Sequence, residues 1–82
     1  MKVTILERAE KDLADLPGGM QVRVLEIIER LEKWPNVSGV KKLTGDWAGF
    51  SRIRSGDYRV VFAVLPDRIR IVRVANRREV YE

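Results

Sequence analysis

The chain has 82 residues, enough for one small domain that buries only about 60% of its unfolded surface on folding. It contains no cysteine and no histidine, which excludes disulfides, thiolate metal sites and the usual general base. Its net charge of +4 is carried entirely by the second half. Lys/Arg and Asp/Glu balance at eight each over residues 1–46, whereas residues 47–82 hold eight arginines, no lysine and four acids. Lysine solubilises as well as arginine, so arginine alone points to planar, bidentate recognition of the kind that phosphates reward.

Lys2 to Leu6 alternates and reads as a first strand. The chain opens on it without a basic segment and apolar core, so no signal peptide is expected. No apolar run approaches membrane-spanning length. The expectation is a single domain over 1–82, cytoplasmic and away from membranes. Arg8 to Leu16 places Ala9, Leu13 and Leu16 at helical spacing, and Pro17-Gly18-Gly19 stops that helix. Met20 to Trp34 carries one apolar stripe of Met20, Val24, Ile27, Ile28, Leu31 and Trp34. The acids and bases of its exposed face, Glu26 with Arg30 and Glu29 with Lys33, stand at i,i+4. So short a joint makes the two helices an antiparallel hairpin that covers one side of a sheet. Pro35 to Asp46 reads as a loop with Val40 and Leu43 as anchors around Lys41-Lys42.

Ala48 to Phe62, AGFSRIRSGDYRVVF, reads as two strands joined at Gly56-Asp57, a two-residue hairpin signal. That loop sets Ser55 opposite Tyr58, Arg54 opposite Arg59, Ile53 opposite Val60 and Arg52 opposite Val61. By parity Ile53, Tyr58, Val60, Phe62 and Val64 share a core-facing side, and Phe50, Arg52, Arg54, Arg59 and Val61 share the other. A three-residue loop, Ser55 to Asp57, would instead send Arg59 to the apolar side beside Ile53, where an unpaired charge is costly; the two-residue loop is preferred. Three arginines then converge on one face. Two unit charges about 6 Å apart repel by roughly 2–3 kcal/mol at an effective dielectric near 20, less with screening. Such a pair is explained most simply by a visiting polyanion. Pro66-Asp67 turns the chain into a last strand, Arg68 to Asn76, whose apolar residues fall on both parities, Ile69 and Ile71 against Val72 and Val74, leaving its facing open. Its arginines, Arg68, Arg70 and Arg73, fit protection of a strand against aberrant pairing.

The order strand, helix hairpin, antiparallel strands, taken with three motifs, resembles the RelE/ParE toxin superfamily of bacterial and archaeal toxin–antitoxin systems over nearly the whole chain. The motifs are Lys41-Lys42-Leu43-Thr44-Gly45, Arg52 to Phe62 and Asn76-Arg77-Arg78-Glu79-Val80-Tyr81. Ala9 to Pro17 fits the family's helix entry as well. The resemblance implies an α+β fold of two layers: an N-terminal strand, an antiparallel two-helix hairpin, then a mostly antiparallel twisted sheet. It implies ribosome-dependent cleavage of mRNA in the A site, by attack of a ribose 2'-hydroxyl on the adjacent phosphodiester, with no cofactor and no metal. The family's catalytic positions fall on Arg54, Arg59, Arg77 and Tyr81, and its RNA-binding positions on Arg52, with Lys41, Lys42 and Arg78 as further phosphate contacts. The implied partners are a RelB-like antitoxin, joined in a hetero-oligomer, and the ribosome with its mRNA. Where well-studied members carry hairpin lysines this chain has Arg52 and Arg54, and where a histidine often precedes the terminal arginine it has Asn76. Arginine is a poor general base, so these departures keep phosphate binding and leave the base to Tyr81, to ribosomal RNA, or to nothing beyond positioning and electrostatics. A gyrase-poisoning toxin of the ParE type and a non-catalytic RNA-binding domain are the alternatives on the same fold.

Overall fold

The computed structural model describes residues 1–80. Strand β1 (Lys2–Ile5) leads into helix α1 (Glu7–Ala14) and helix α2 (Gly18–Leu31). Four strands follow, β2 (Val40–Lys42), β3 (Ser51–Ser55), β4 (Tyr58–Val64) and β5 (Arg68–Asn76), with a single 3-10 turn, Gly45–Trp47, between β2 and β3. They form one five-stranded sheet in the order β1-β5-β4-β3-β2. Among the described residues only the β1–β5 pair is parallel. The helices carry the chain from β1 at one edge of the sheet to β2 at the other, from which β3 and β4 lead back to β5 beside β1.

Helix α1 begins with Glu7 and Glu10 in its first turn, where negative charge meets the positive end of the helix dipole. It buries Ala9 fully and half-buries Leu13. Helix α2 starts earlier than the Pro-Gly-Gly signal suggests. Pro17 serves as its N-cap, and its carbonyl accepts from the amides of Met20 and Gln21 at 2.9 and 3.0 Å. The two glycines cost backbone entropy at the start of the helix, which the packing of the apolar stripe that follows outweighs. Gln21 Nε2 donates to Leu13 O at 2.9 Å, satisfying a carbonyl at the end of α1 and fixing the hairpin. Helix α2 ends at Leu31 rather than at Trp34. Bonds of the tighter i,i+3 kind, Lys33 N to Arg30 O and Trp34 N to Leu31 O, carry Trp34 inward to meet Phe62 edge-on at 5.9 Å. Arg30 donates to the carbonyl oxygen of Ser38 at 2.8 Å, tying the loop after α2 to the helix.

Ala9, Leu16, Val24, Ile27 and Leu31 of the helical layer pack against Ile53, Val60, Phe62, Ile69, Ile71 and Val74 of the sheet. Eight of the largest of these side chains and their neighbours across the sheet expose less than 2% of their surface, and truncating one of the bulkiest, Phe62, costs about 3–5 kcal/mol at a site of this kind. The opposite face is not bare. Leu43, Val61, Ala75 and Val80 form a second, smaller cluster, with Trp47, Phe50 and Val72 against it.

Three expectations need correction here. Residues 35–46 are not all loop, because Val40–Lys42 pairs antiparallel with β3; of the three residues only Val40 favours a strand, and pairing supplies the conformation of the two lysines. Strand β5 is not an edge, since it lies between β1 and β4, so its arginines do not guard an open ladder. Val64 shares the parity of the core yet remains 42% exposed, because it lies beyond the reach of the helices, at the rim of an open cavity.

Candidate functional site

The β3–β4 register sets Arg54 opposite Arg59, Arg52 opposite Val61 and Ser55 opposite Tyr58. Gly56 has φ +58° and, among the described residues, no residue type but glycine has a positive φ, so the left-handed position is the first of the two turn residues, the pattern of a type II′ hairpin. Ser55–Tyr58 closes that turn as a hydrogen-bonded pair. Arg54 and Arg59 therefore form a non-hydrogen-bonded pair, whose Cα atoms approach to about 4.5 Å and whose side chains run close together.

Arg54 is exposed, Arg52 half-buried, and Arg59 buried at 7% exposure. Arg52 Nη1 donates to Gly39 O at 3.3 Å, tying β3 to the approach of β2. Lys41 pairs with Arg52 across the β2–β3 ladder and so joins the arginine face, whereas Lys42 pairs with Ser51 and stands on the helix side. Alternation thus divides the two lysines. Arg70 pairs with Ala63, which shares parity with Arg59 and Val61, so Arg70 stands on the arginine face as well. Only the sheet register reveals that, because the last strand holds a β-bulge. Val61 faces Arg73 while Phe62 faces Ile71, leaving Val72 as the extra residue. The bulge turns both Ile71 and Val74 into the main core, which strict alternation forbids to residues three apart.

Past the end of β5 the chain turns back to the hairpin. Arg77 N donates to Asp57 O at 2.7 Å, and Arg77 Nε lies 3.9 Å from Asp57 Oδ1. Arg77 is thereby held at the turn end of β3–β4, the same end as Arg54 and Arg59. Arg78 is exposed, with its amide donating to Asn76 Oδ1 at 3.1 Å. Val80 is buried to 1% among Leu43, Val61 and Ala75, so the tail lies across the arginine face. Tyr81 lies outside the described residues.

An acid that the sequence pattern does not single out fastens this tail. Asp12 Oδ2, on α1, accepts from Arg73 Nε at 2.8 Å and from Val74 N at 2.9 Å, while its Oδ1 lies 3.4 Å from Arg8 Nε. Strand β1 ends too early to pair Val74; its ladder finishes with Leu6 N donating to Ile71 O. Asp12 takes the place of the missing strand. Arg73 Nη2 then donates to Glu79 Oε2 at 2.8 Å, linking α1, β5 and the tail in one chain of charge-assisted bonds. The hydrogen bond that Arg73 donates to Asp12 raises the pKa of Arg73 against the opposing effect of burial. Tyr58, half-buried, packs on the main core and lines a polar cavity of about 250 Å³ together with Asp12, Arg73, Asn76 and Glu79. Among the described residues no cluster of acids could hold a metal ion, and no helix is long and apolar enough to cross a membrane.

The family model for the ParE toxin of type II toxin–antitoxin systems, parDE, matches residues 3–81. The toxin RelE3 of Methanocaldococcus jannaschii is 33% identical to the chain over 86 residues, spanning 100% of this chain and 97% of that protein. Among solved structures, the archaeal RelE–RelB complex from Pyrococcus horikoshii OT3 superposes with a TM-score of 0.76 at 33% identity, covering 93% of each chain. The RelBE2 toxin–antitoxin complex from Mycobacterium tuberculosis superposes with a TM-score of 0.79 at 28% identity, covering 93% of this chain and 96% of the other.

Proposed function

Because the chain belongs to the RelE/ParE superfamily of type II toxins, we propose that it is a ribosome-dependent endoribonuclease that cuts mRNA in the A site and is held in check by a RelB-like antitoxin. The observation that carries this reading is the pairing of Arg54 with Arg59, with Arg77 pinned by Asp57 at the same end of the hairpin. Three arginines gathered at one end of the hairpin suit a single phosphodiester and the extra negative charge that builds on it.

In the proposed reaction the 2'-hydroxyl of the upstream nucleotide attacks phosphorus, the bond from phosphorus to the 5'-oxygen breaks, and a 2',3'-cyclic phosphate remains. The 2'-hydroxyl gives up its proton to the phenolate form of Tyr81 or to a ribosomal RNA group, and the leaving 5'-oxygen, its charge offset by Arg77, takes up a proton from water. Arg54 and Arg59 stabilise the charged phosphorane-like transition state. Arg52, Lys41 and Arg70 extend the positive face along the neighbouring backbone, with Arg78 beside the tail. Lys42, on the other face, lies outside this surface. Because ribosome and mRNA are cytoplasmic, so is the site of action. The antitoxin and toxin form a hetero-oligomer, as in the RelE–RelB complex of Pyrococcus horikoshii.

The match to a ParE-type family model favours a second reading, poisoning of DNA gyrase without nuclease chemistry. Primer extension on a translated reporter separates the two. Induced wild-type protein should give codon-phased cuts that vanish when translation is blocked and that Arg54→Ala abolishes. Because Arg54 is exposed, that variant keeps its fold. Growth arrest without cuts, accompanied by gyrase-linked DNA breaks, would replace the nuclease reading with the second.

A further inference from the structure

We propose that Asp12, Arg73 and Glu79 are positioning residues for the arginine site: the guanidinium of Arg73 ties the tail to α1 and so aims Arg77 at the phosphate that Arg54 and Arg59 hold. The proposal rests on the phosphodiester-cleaving reading above and adds to it three residues that do not touch the substrate.

Arg77 has little of its own to aim it. Its side chain is 65% exposed, and its Nε lies 3.9 Å from Asp57 Oδ1, beyond hydrogen-bond reach. Its direction is therefore set by its backbone, which sits inside a turn. Arg77 N donates to Asp57 O at 2.7 Å, and Glu79 N donates to Asn76 O at 2.8 Å. Between them Arg78 N donates to Asn76 Oδ1 at 3.1 Å. What fixes Glu79 thus fixes the turn that carries Arg77.

That turn is held against the body of the protein on two sides. On the sheet side Val80 is buried to 1% among Leu43, Val61 and Ala75. On the helix side the tail borders a polar cavity of about 250 Å³, lined by Asp12, Tyr58, Arg73, Asn76 and Glu79. Open space sets no position, and Arg73 bridges it. Its Nε donates to Asp12 Oδ2 and its Nη2 to Glu79 Oε2, both at 2.8 Å. Asp12 is a firm anchor, because its side chain is only 10% exposed and the same oxygen accepts from Val74 N at 2.9 Å.

The residue types fit the task. A planar guanidinium presents nitrogens in a fixed fork, so one side chain can hold two acids on different elements at a set angle, which a lysine ammonium does not do. Stability alone gives Glu79 little purpose, since its side chain is 56% exposed and an ion pair with so exposed a partner contributes little. Its effect is on placement. Displacement of a reacting group by about 1 Å can cost on the order of a hundredfold in rate.

The test measures single-turnover cleavage of mRNA on programmed ribosomes with the full chain in excess, beside ribosome affinity and melting temperature. Glu79→Ala removes the far end of the bridge, and Arg73→Lys keeps the charge beside Asp12 but loses the fork. Each should lower the saturated rate by about tenfold or more, with affinity and the Tm of Glu79→Ala unchanged. Glu79→Gln, which keeps an oxygen for Arg73 Nη2, should restore the rate, a rescue that charge alone does not give. Arg30→Gln, which cuts the 2.8 Å tether to Ser38 O away from the tail, should leave the rate unchanged. A wild-type rate in Glu79→Ala or Arg73→Lys overturns the proposal, as does a loss confined to affinity or shared by Arg30→Gln. Absence of cuts by the wild-type chain would instead remove the nuclease reading, and inorganic phosphate then decides the bridge by itself. Phosphate should raise the Tm of wild type more than that of Glu79→Ala, and equal rises overturn the proposal.

Discussion

Asp12→Ala should be among the most damaging single changes outside the main core, although Asp12 contributes nothing apolar. Its side chain is only 10% exposed and accepts from Arg73 Nε at 2.8 Å and from Val74 N at 2.9 Å. Loss of the carboxylate leaves a part-buried amide unpaired, at about 1–3 kcal/mol, and removes a hydrogen bond to a charged group, at about 1.5–3 kcal/mol. The two are not additive, because Arg73 keeps Glu79 and water reaches part of the site, so the net loss should be about 2–4 kcal/mol. The total stability of a domain this size is only about 4–12 kcal/mol. A loss of about 3 kcal/mol lowers Tm by roughly 12–24 °C, at about 4–8 °C per kcal/mol. Asp12→Asn, which retains an acceptor for Val74 N, should lose about half as much. Thermal melting followed by circular dichroism makes the comparison, and amide exchange at Val74 localises it. A Tm for Asp12→Ala within a degree or two of wild type would show that the carboxylate does not close the unpaired stretch of β5.

Other consequences follow from the same geometry. Val80→Ala removes two methyl groups from the smaller cluster and should cost about 1–3 kcal/mol by denaturant melting, with faster exchange at the Arg77 amide that bonds Asp57. Gly56→Val should destabilise strongly in the same assay, because φ +58° at that turn position is barely open to a β-branched residue. Asp67 is held below the ordinary carboxylate value by its hydrogen bond to Arg68. A depressed carboxylate contributes stability above its unfolded pKa and loses it as pH falls through the lower folded value. Asp67 is exposed and Arg68 only half-buried, so screening removes most of the effect, and Asp67→Asn should leave the melting curve unchanged at pH 7 as at pH 3.

How much of this was legible in the sequence depended on whether the deciding contact was local. The β3–β4 register could be read from Gly56-Asp57 and from the cost of burying Arg59 on the apolar side, and Arg54 does stand opposite Arg59. The parity of β5 could not, because a bulge at Val72 leaves no composition signal and reverses the facing of every residue beyond it. Strand β2 was illegible for the opposite reason, since its three residues are extended only because β3 pairs with them. Asp12 stands 61 residues from Arg73, and an acid on an amphipathic helix looks like ordinary solvated surface until the short β1 leaves Val74 for it to pair. The burial of Arg59 was equally hidden, because the tail that crosses its face folds back from the far end of β5.

The arginine pair itself offers a test of whether the face is built for an anion rather than for stability. Directly opposed guanidiniums repel by at most roughly 2–3 kcal/mol at an effective dielectric near 20, and the exposure of Arg54 cuts that to about 1 kcal/mol or less. Replacing Arg54 with glutamine keeps the length and hydrogen-bonding capacity of the side chain and removes the charge. If the pair is a cost retained for function, Arg54→Gln should be more stable than wild type at low ionic strength, by up to about 4–8 °C in Tm. The gain should shrink as salt screens the pair, since the Debye length falls to about 3 Å at 1 M. Inorganic phosphate should raise the wild-type Tm more than the variant's, because only the wild type has two guanidiniums to share one anion. A variant that is less stable than wild type at every salt concentration would mean that Arg54 stabilises the sheet through its own packing, and that its opposition to Arg59 reflects the fold rather than a ligand.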